Sequence, residues 1–431
     1  MAWDFETDPG FQHELDWIDA FVREELEPLD FVVAHPYDLQ DPVRRKLIPP
    51  LQKRVRDRGL WACHLGPELG GPGYGQVKLA LMNELLGRAR CAPITFGCQA
   101  PDSGNSEILA HYGTPAQKER YLAPLLANEI VSCFSMTEPQ GGADPKVFTT
   151  KAELRGDEWV IDGEKWFSSH ARWASFLIVM AVTDPDASPY QRMSMFLVPS
   201  DTPGVRIVRN VGLGYEPGEG GHAYVSYEGV RVPRDAMLGP RGGAFVVAQT
   251  RLGGGRIHHA MRTIGQVRKA LDMMCERALS RVTQGEQLSE KQMVQEKIAD
   301  TWMELEQFRL LVLQTAWKID RYRDYQKVRK DISAVKAIMP KVFHDAAARA
   351  LQIHGSLGVS NEMPFATMLL ESFHMGLADG PTEVHKVQVA RAVLAQHQGT
   401  KHLFPTGHLP ALREAAIRRY ADVIEGEVRE V

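Results

Sequence analysis

The apolar residues of this chain change their period twice, and few architectures tolerate that. From residue 1 to about 130 they recur at helical intervals, with Leu15, Ile18, Phe21, Val22 and Leu26 on one stripe of Phe11 to Leu29. From Val131 to about Gly243 short runs replace them: Lys151-Ala-Glu-Leu, Trp159-Val-Ile-Asp-Gly-Glu-Lys, Phe176-Leu-Ile-Val-Met and Met195-Phe-Leu-Val, separated by Gly, Pro and Asp turns. Gly156-Asp157 and Asp162-Gly163 read as hairpin signals. After Gly253-Gly-Gly-Arg256 helical spacing returns and lasts to about Gln398. Helices, roughly a hundred residues of strands, then helices again predict a mainly α chain with an inserted β domain. The expected divisions are 1–130, 131–243 and 244–399, followed by a polar tail at 400–431 whose single short helix could lie on a neighbouring subunit.

Local signals refine this. Thr114-Pro-Ala-Gln117 combines a capping-box pair with Pro at the first helical position, and predicts a helix to about Leu126. Ser289-Glu-Lys-Gln292 is a second such pair, leading a long helix whose Ile298, Trp302, Leu305, Phe308 and Val312 read as bundle core. The glycine-rich stretch Pro67 to Gly75 lacks Gly-Lys-Ser/Thr and a preceding strand, so it fits neither phosphate-binding fingerprint. It reads as a turn before a helix from Val77 to Arg88.

Charge and cysteine usage exclude several classes. Net charge is −4 with no long single-sign run, which argues against a nucleic-acid or lipid surface. The five cysteines, Cys63, Cys91, Cys98, Cys133 and Cys275, have no CxxC spacing, so neither a disulfide frame nor a zinc site is expected. Met1 to Asp8 lacks the apolar region of a signal peptide, and no apolar run reaches membrane-spanning length. A soluble, cytoplasmic protein is expected.

Leu377-Ala-Asp-Gly-Pro-Thr-Glu-Val-His385 is the stretch with most chemical promise. Gly380 and Pro381 impose a turn after Asp379, and Val384, Val387, Val389, Ala390 and Val393 then recur at helical spacing. A carboxylate held at such a turn either caps the helix or serves as a general base of fixed position. The two readings stay open on this stretch alone.

Three further stretches bear on the choice: Phe134-Ser-Met-Thr-Glu-Pro-Gln-Gly-Gly-Ala-Asp-Pro145, Trp166-Phe-Ser-Ser169 and Gln352-Ile-His-Gly-Ser-Leu-Gly358. With the Asp379 turn, their order resembles the acyl-CoA dehydrogenase family from about residue 10 to 398. The resemblance implies an N-terminal helical domain, a middle β-barrel-like domain and a C-terminal four-helix bundle, with FAD between the β domain and the bundle. It places Phe134, Met136 and Thr137 along the flavin, Phe167 and Ser169 at its reactive edge, and Gly142 and Ala143 in a loop that approaches cofactor and substrate. Arg281 and Gln292 would reach the cofactor of a partner subunit. Gln352, Gly355 and Ser356 would hold the nucleotide part, and Pro381 and Glu383 complete the cofactor set. Gly253, Arg256 and Gly380, with Ala143, fall on the substrate side. No metal is implied.

The same resemblance implies that Asp379 removes the α proton of an acyl-CoA while hydride leaves for flavin N5, giving a 2-enoyl-CoA. The family more often has Glu-Gly-Thr at this turn; one branch has Ala-Asp-Gly-Pro. Other departures are Phe for Trp at 167, Ala for Ser at 143, Gly for an acid at 253 and Gln for Phe at 284. The implied partners are acyl-CoA, an electron acceptor such as an electron-transfer flavoprotein, and further copies of the chain in a homodimer or homotetramer. Two rivals remain: a nitroalkane-oxidising flavoenzyme using the same Asp, and a non-catalytic subunit that completes a partner's FAD site. His374, Asp379, Glu383 and His385 lack metal-ligand spacing.

Overall fold

The computed structural model describes residues 5–69, 71–214 and 220–424. Contacts divide the chain into two compact units, 1–386 and 387–431.

The first helices start where the sequence supplies caps. Asp8 accepts from the Phe11 N–H at 2.9 Å to open α1 (Pro9–Phe21), and Asp41 does the same for Arg44 at 2.7 Å to open α2 (Pro42–Asp57). In each, Pro takes the first position, where its missing N–H is harmless. Phe11 to Leu29 is not one helix. After Phe21 the chain widens into a π turn over Val22–Leu26, and Pro28 opens a 3-10 turn, since its ring cannot continue the helix. α3 (Gly75–Leu86) and α4 (Asp102–Tyr112) follow, and Thr114 and Gln117 form the expected capping box.

Eight strands form one sheet: β1 (Ser132–Ser135), β2 (Lys151–Arg155), β3 (Glu158–Ser169), β4 (Phe176–Val182), β5 (Met193–Pro199), β6 (Val205–Val211), β7 (His222–Pro233) and β8 (Met237–Leu238), in the order β6-β7-β3-β2-β4-β5-β8 with β1 parallel to β4. Every residue of β4 is buried because the strand lies between two cores. Phe176, Ile178, Met180 and Val182 enter one; Leu177, Val179 and Ala181 enter the other. Gly156, at φ +65°, does turn β2 into β3. Asp162-Gly163 does not turn the chain. It lies inside β3 at a register shift, where a Cβ on Gly163 would stand 2.5 Å from the Thr150 hydroxyl. A second shift between Lys165 and Ser168 leaves Phe167 at φ +53°.

The C-terminal helices are α5 (Ala244–Ser280), α6 (Gln292–Tyr322), α7 (Arg329–His354), α8 (Phe365–Leu377) and α9 (Thr382–Leu394). Ile18, Leu86, Ile264, Phe308 and Phe343 belong to one continuous core, so the N-terminal and C-terminal helices share their apolar interior. Each such side chain contributes roughly 1.5–3 kcal/mol by leaving water.

Several expectations fail locally. α5 starts at Ala244 and runs through the three glycines instead of beginning after them. The Ser289–Gln292 box does not form: α6 has Lys291 at its N-cap, and the Ser289 hydroxyl donates to Gln287 at 3.3 Å. Leu305, Phe308 and Val312 are buried, but Trp302 on the same stripe is 55% exposed. In α9 the apolar Val384 is exposed, while polar His385 is buried. The second unit holds α10 (Leu409–Arg419) and a further turn at Ala421–Ile424, one helix more than expected. Residues 425–431 of the tail lie outside the described residues. Among the described residues no helix is long and apolar enough to cross a membrane, and no His/Cys/Asp/Glu group could hold a metal ion.

Candidate active site

Asp379 follows the end of α8 in the left-handed conformation, φ +55°, with Gly380 at +107°. That conformation costs a non-glycine residue about 1–2 kcal/mol, and Asp tolerates it better than most. Two donors hold it there. The Asp379 carbonyl accepts from Arg256 Nε at 2.9 Å and from His385 Nε2 at 3.3 Å. Because a carbonyl only accepts, His385 carries its proton on Nε2, and its Nδ1 accepts from the Ser333 hydroxyl at 3.3 Å. Burial pulls His385 down to about 4, so it is neutral.

The turn brings the carboxylate against one face of α5. A Cβ on Gly255 would stand 2.9 Å from Oδ2. Arg251 Nη1 lies 4.0 Å from Oδ1, and His259 Nε2 lies 3.8 Å from Oδ2. Residues 251, 255 and 259 are one helical turn apart, so the glycine is a gap between two basic groups. Among the described residues the Asp379 side chain makes no hydrogen bond to the first turn of α9, so it does not cap that helix. Burial is the strongest single influence on Asp379 and opposes its charge. The summed attraction of His259, Arg251, Arg256 and Lys336 outweighs it and holds the carboxyl below its ordinary value.

The glycine triplet shapes the rest of the cleft. Gly253 faces the Tyr325 ring, and Gly254 faces Glu107 Oε2, which an added Cβ would approach to 2.9 Å. Burial pushes Glu107 up to about 8 against the pull of Arg251. Arg251 is itself fixed: Nε donates to Asn105 at 2.8 Å, and the guanidinium lies 4.1 Å over the Phe134 ring. Phe134 is thereby joined to the Asp379 cluster. Sequence reasoning missed Arg251, His259, Glu107, Tyr325 and Lys336. The first two had a legible signal, the Arg251-x3-Gly255-x3-His259 spacing, which was hidden by starting the helix too late. The others come from distant segments, and only folding brings them together.

Thr137 and Phe167 sit on adjoining segments, tied by the Trp166 N–H donating to the Thr137 carbonyl at 2.9 Å. Lys165 Nζ donates to the Met136 carbonyl and to Glu138, each at 2.8 Å. Phe167 stacks on His222 at 4.7 Å, and His222 Nδ1 pairs with the Ser169 hydroxyl at 2.8 Å. The His222 ring is 5.8 Å from that of His374 on α8, which ends at the Asp379 turn. Gly142 and Ala143 are exposed beyond β1, and a Cβ on Gly142 would approach the Thr137 methyl to 3.3 Å. Among the described residues the Thr137 hydroxyl and the Asp379 N–H have no partner.

The remaining expected residues are not gathered at Asp379 within one chain. Arg281 caps the C-terminal end of α5, about 25 residues and hence roughly 37 Å along the helix from Arg256, and it is exposed. Gln292 is the exposed first residue of α6. Gln352, Gly355 and Ser356 are exposed at the end of α7, where His354 feels the charges of Arg277 and Glu276 on α5. Gly355 has φ +65° and open space where a Cβ would point. Half-buried Pro381 borders the Asp379 turn, and exposed Glu383 lies in the first turn of α9.

Helical ends around a sheet, with a charged cleft where sheet and helices meet, define a class that comparison makes specific. The N-terminal, middle and C-terminal domains of acyl-CoA dehydrogenases match residues 12–129, 133–227 and 242–394. "Probable acyl-CoA dehydrogenase FadE2" of Mycobacterium tuberculosis is 39% identical over 92% of this chain and 94% of its own. Acyl-CoA dehydrogenase family member 11 of Gallus gallus is 39% identical over 87% of this chain, which spans 49% of that longer protein. A solved structure from Mycobacterium abscessus, 38% identical, superposes with a TM-score of 0.83 over 91% of this chain and all of the other. The chain belongs to the acyl-CoA dehydrogenase family, a family of FAD flavoenzymes.

Proposed function

We propose that this protein dehydrogenates an acyl-CoA thioester to the 2-enoyl-CoA, with Asp379 as the base that takes the α proton. The observation that carries this is the Asp379 carboxylate itself: ionised, inside the cleft, near the cations of Arg251, Arg256 and Lys336 and, among the described residues, not used by any hydrogen bond. Its lone pairs remain available to a substrate C–H. The unpartnered Asp379 N–H is placed by the same turn and suits a thioester oxygen that gains negative charge as the proton leaves. Arg256 and His385 keep both groups in register by holding the Asp379 carbonyl.

The residues fit a flavin. Phe134, Met136, Thr137 with its free hydroxyl, Phe167 and Ser169 would line it, with Gly142 and Ala143 in the adjoining loop. Gln352, Gly355 and Ser356, where open space surrounds Gly355, would take the nucleotide end. Pro381 and Glu383 would border it, and Gly253, Arg256 and Gly380 would face the acyl-CoA. When bound, FAD supplies the hydride acceptor. Ala143, Gly253 and Gln284 leave the acyl specificity and one cofactor contact different from the family's commoner pattern. An electron-transfer flavoprotein is the electron acceptor we favour. Five unpaired cysteines, four of them buried, suit a reducing compartment such as the cytoplasm. The division at residues 130, 243 and 399 remains our reading of the domains.

Asp379→Asn tests the chemistry. It keeps the shape and removes the proton acceptor, so FAD and acyl-CoA should still bind while anaerobic flavin bleaching slows ~10²–10⁴-fold. Unchanged bleaching would take Asp379 out of the mechanism. Bleaching by nitroalkanes and by no acyl-CoA would favour the nitroalkane-oxidising alternative.

Arg281 tests the assembly. The distance along α5 leaves it free for a neighbouring subunit's cofactor phosphate, so we propose a homodimer or homotetramer. Arg281→Ala should weaken FAD retention on the order of 10²-fold, as loss of a buried interfacial charge does. A monomer that keeps FAD as tightly as the oligomer would overturn this.

A further inference from the structure

A base that takes a proton on each turnover must release it before the next. Asp379 is badly placed to do so directly, since its side chain is only 15% exposed. Most of its neighbours cannot accept a proton. Arg251 and Arg256 are permanently charged. Lys336, held near 8 by burial, is charged at neutral pH, and its ammonium donates to the Met375 carbonyl. Glu107, pushed up to about 8, is itself protonated. Both ring nitrogens of His385 are committed, to the Asp379 carbonyl and to Ser333.

His259 is the exception. Its Nε2 lies 3.8 Å from Asp379 Oδ2, and among the described residues its Nδ1 has no hydrogen-bond partner. His374 on α8 interacts with it electrostatically, and His374 Nδ1 lies 3.4 Å from Glu371 Oε1. Glu371 is 20% exposed and His374 24%, against 15% for Asp379, so accessibility rises along this side of the cleft.

We infer that His259 and His374 form the route by which Asp379 sheds its proton, a role that rests on Asp379 being the base. The O–H bond of protonated Asp379 breaks as an N–H bond forms at His259 Nε2. The Nδ1 proton of the imidazolium passes to His374, directly or across one water, and from there to Glu371 or bulk solvent. No electrons move and no co-reactant is needed.

The electrostatic setting suits transfer from Asp379 to His259. Asp379, Arg262, His258, His374 and Lys336 face His259 from the turn and from α5, α8 and α7. Burial first, then the neighbouring cations, lower it to about 4, against the pull of Asp379. The Asp379 carboxyl is held below its ordinary value, so its proton does not move uphill in passing to His259. After delivery to His374, His259 is neutral with its proton on Nε2, and exchange of that proton for one on Nδ1 through solvent reopens Nε2 to Asp379 for the next turnover.

The test follows single turnovers of the FAD-loaded oligomer with an accepted acyl-CoA, reading flavin bleaching and proton release to an indicator dye together. In His259→Ala, bleaching should slow less than release. Release and kcat should fall ~10-fold or more, and added imidazole should restore them by filling the vacated space. In His374→Phe the same lag should appear with a smaller size. Release that keeps pace with bleaching in both variants overturns the relay. So does a loss in His259→Ala that imidazole leaves unchanged, because a packing defect would behave that way. Absence of bleaching in the wild-type protein instead overturns the dehydrogenase reading, and the relay with it.

Discussion

Glu138 and Asp379 are both carboxylates largely withdrawn from water beside cations, yet Glu138 accepts five hydrogen bonds while, among the described residues, no cation approaches the Asp379 carboxylate closer than 4.0 Å. Glu138 receives Gln140 Nε2, the Thr149 N–H and hydroxyl, the Thr150 N–H and Lys165 Nζ, at 2.6 to 3.1 Å. Its lone pairs are saturated, and its work is to tie the loop after β1 to β3. That also positions the Met136 carbonyl, which shares Lys165 with it. Asp379 gains its electrostatic support at longer range and keeps its lone pairs open. A carboxylate that is charged but unsaturated suits chemistry, whereas one that is charged and saturated suits architecture.

Breaking the saturated site should give the largest change in stability. Lys165 is 0% exposed and Glu138 1%, so Lys165→Met strands a buried charge and should lower stability by about 3–5 kcal/mol, read as a drop in denaturant midpoint. The double variant Glu138→Gln with Lys165→Met should recover much of that, because no charge is left behind. Asp379→Asn should shift the midpoint less than Lys165→Met, since it breaks no hydrogen bond of the carboxylate. Equal losses in the two would erase the distinction drawn here.

Acid sharpens the same contrast. Burial opposes the charge on Glu138, but Lys165 and the hydrogen bonds win and hold it at about 2, below its ordinary 4.5. A depressed carboxyl contributes stability that is complete above the unfolded value and lost as pH falls through the folded one. The contribution of Glu138 should therefore fade between pH 4.5 and about 2, and Glu138→Gln should flatten that part of the acid-unfolding curve. Burial lowers Lys165 to about 8, so the pair is still mostly ionised at neutral pH.

How much of this was legible in the sequence depends on the range of the interaction. The three-part fold could be read because apolar period is a local property, and Thr114-Pro-Ala-Gln117 capped its helix because all the parts lie within one turn. Gly163 was misread because a glycine in a strand looks the same whether it turns the chain or clears Thr150. Trp302 was misread because helical spacing defines a face and not what covers it. Asp379 stood out through its Gly-Pro flank and the family resemblance. The groups that give it its character, Arg251, His259 and Lys336, lie at least 43 positions away in the chain and are joined to it only by packing.

Gly255 offers the smallest and most selective test of the comparison. In mid-helix a glycine is about 1 kcal/mol worse than alanine, so on propensity alone Gly255→Ala should stabilise α5. The new methyl, however, would stand 2.9 Å from Asp379 Oδ2, inside van der Waals contact, and the carboxylate is the freer of the two to move. Its carbonyl is anchored by Arg256 and His385, so the displacement falls on the side chain. A shift approaching 1 Å in a reacting group lowers a rate by up to ~10²-fold, and a few tenths of that shift suggest a loss on the order of 10-fold. The expected result is a thermal midpoint at or above wild type together with slower flavin bleaching and an unchanged FAD content. At Glu138 the expected loss is one of stability; at Gly255 stability and rate should move apart. A variant that bleaches its flavin at the wild-type rate would show that the carboxylate does not need the space this glycine leaves.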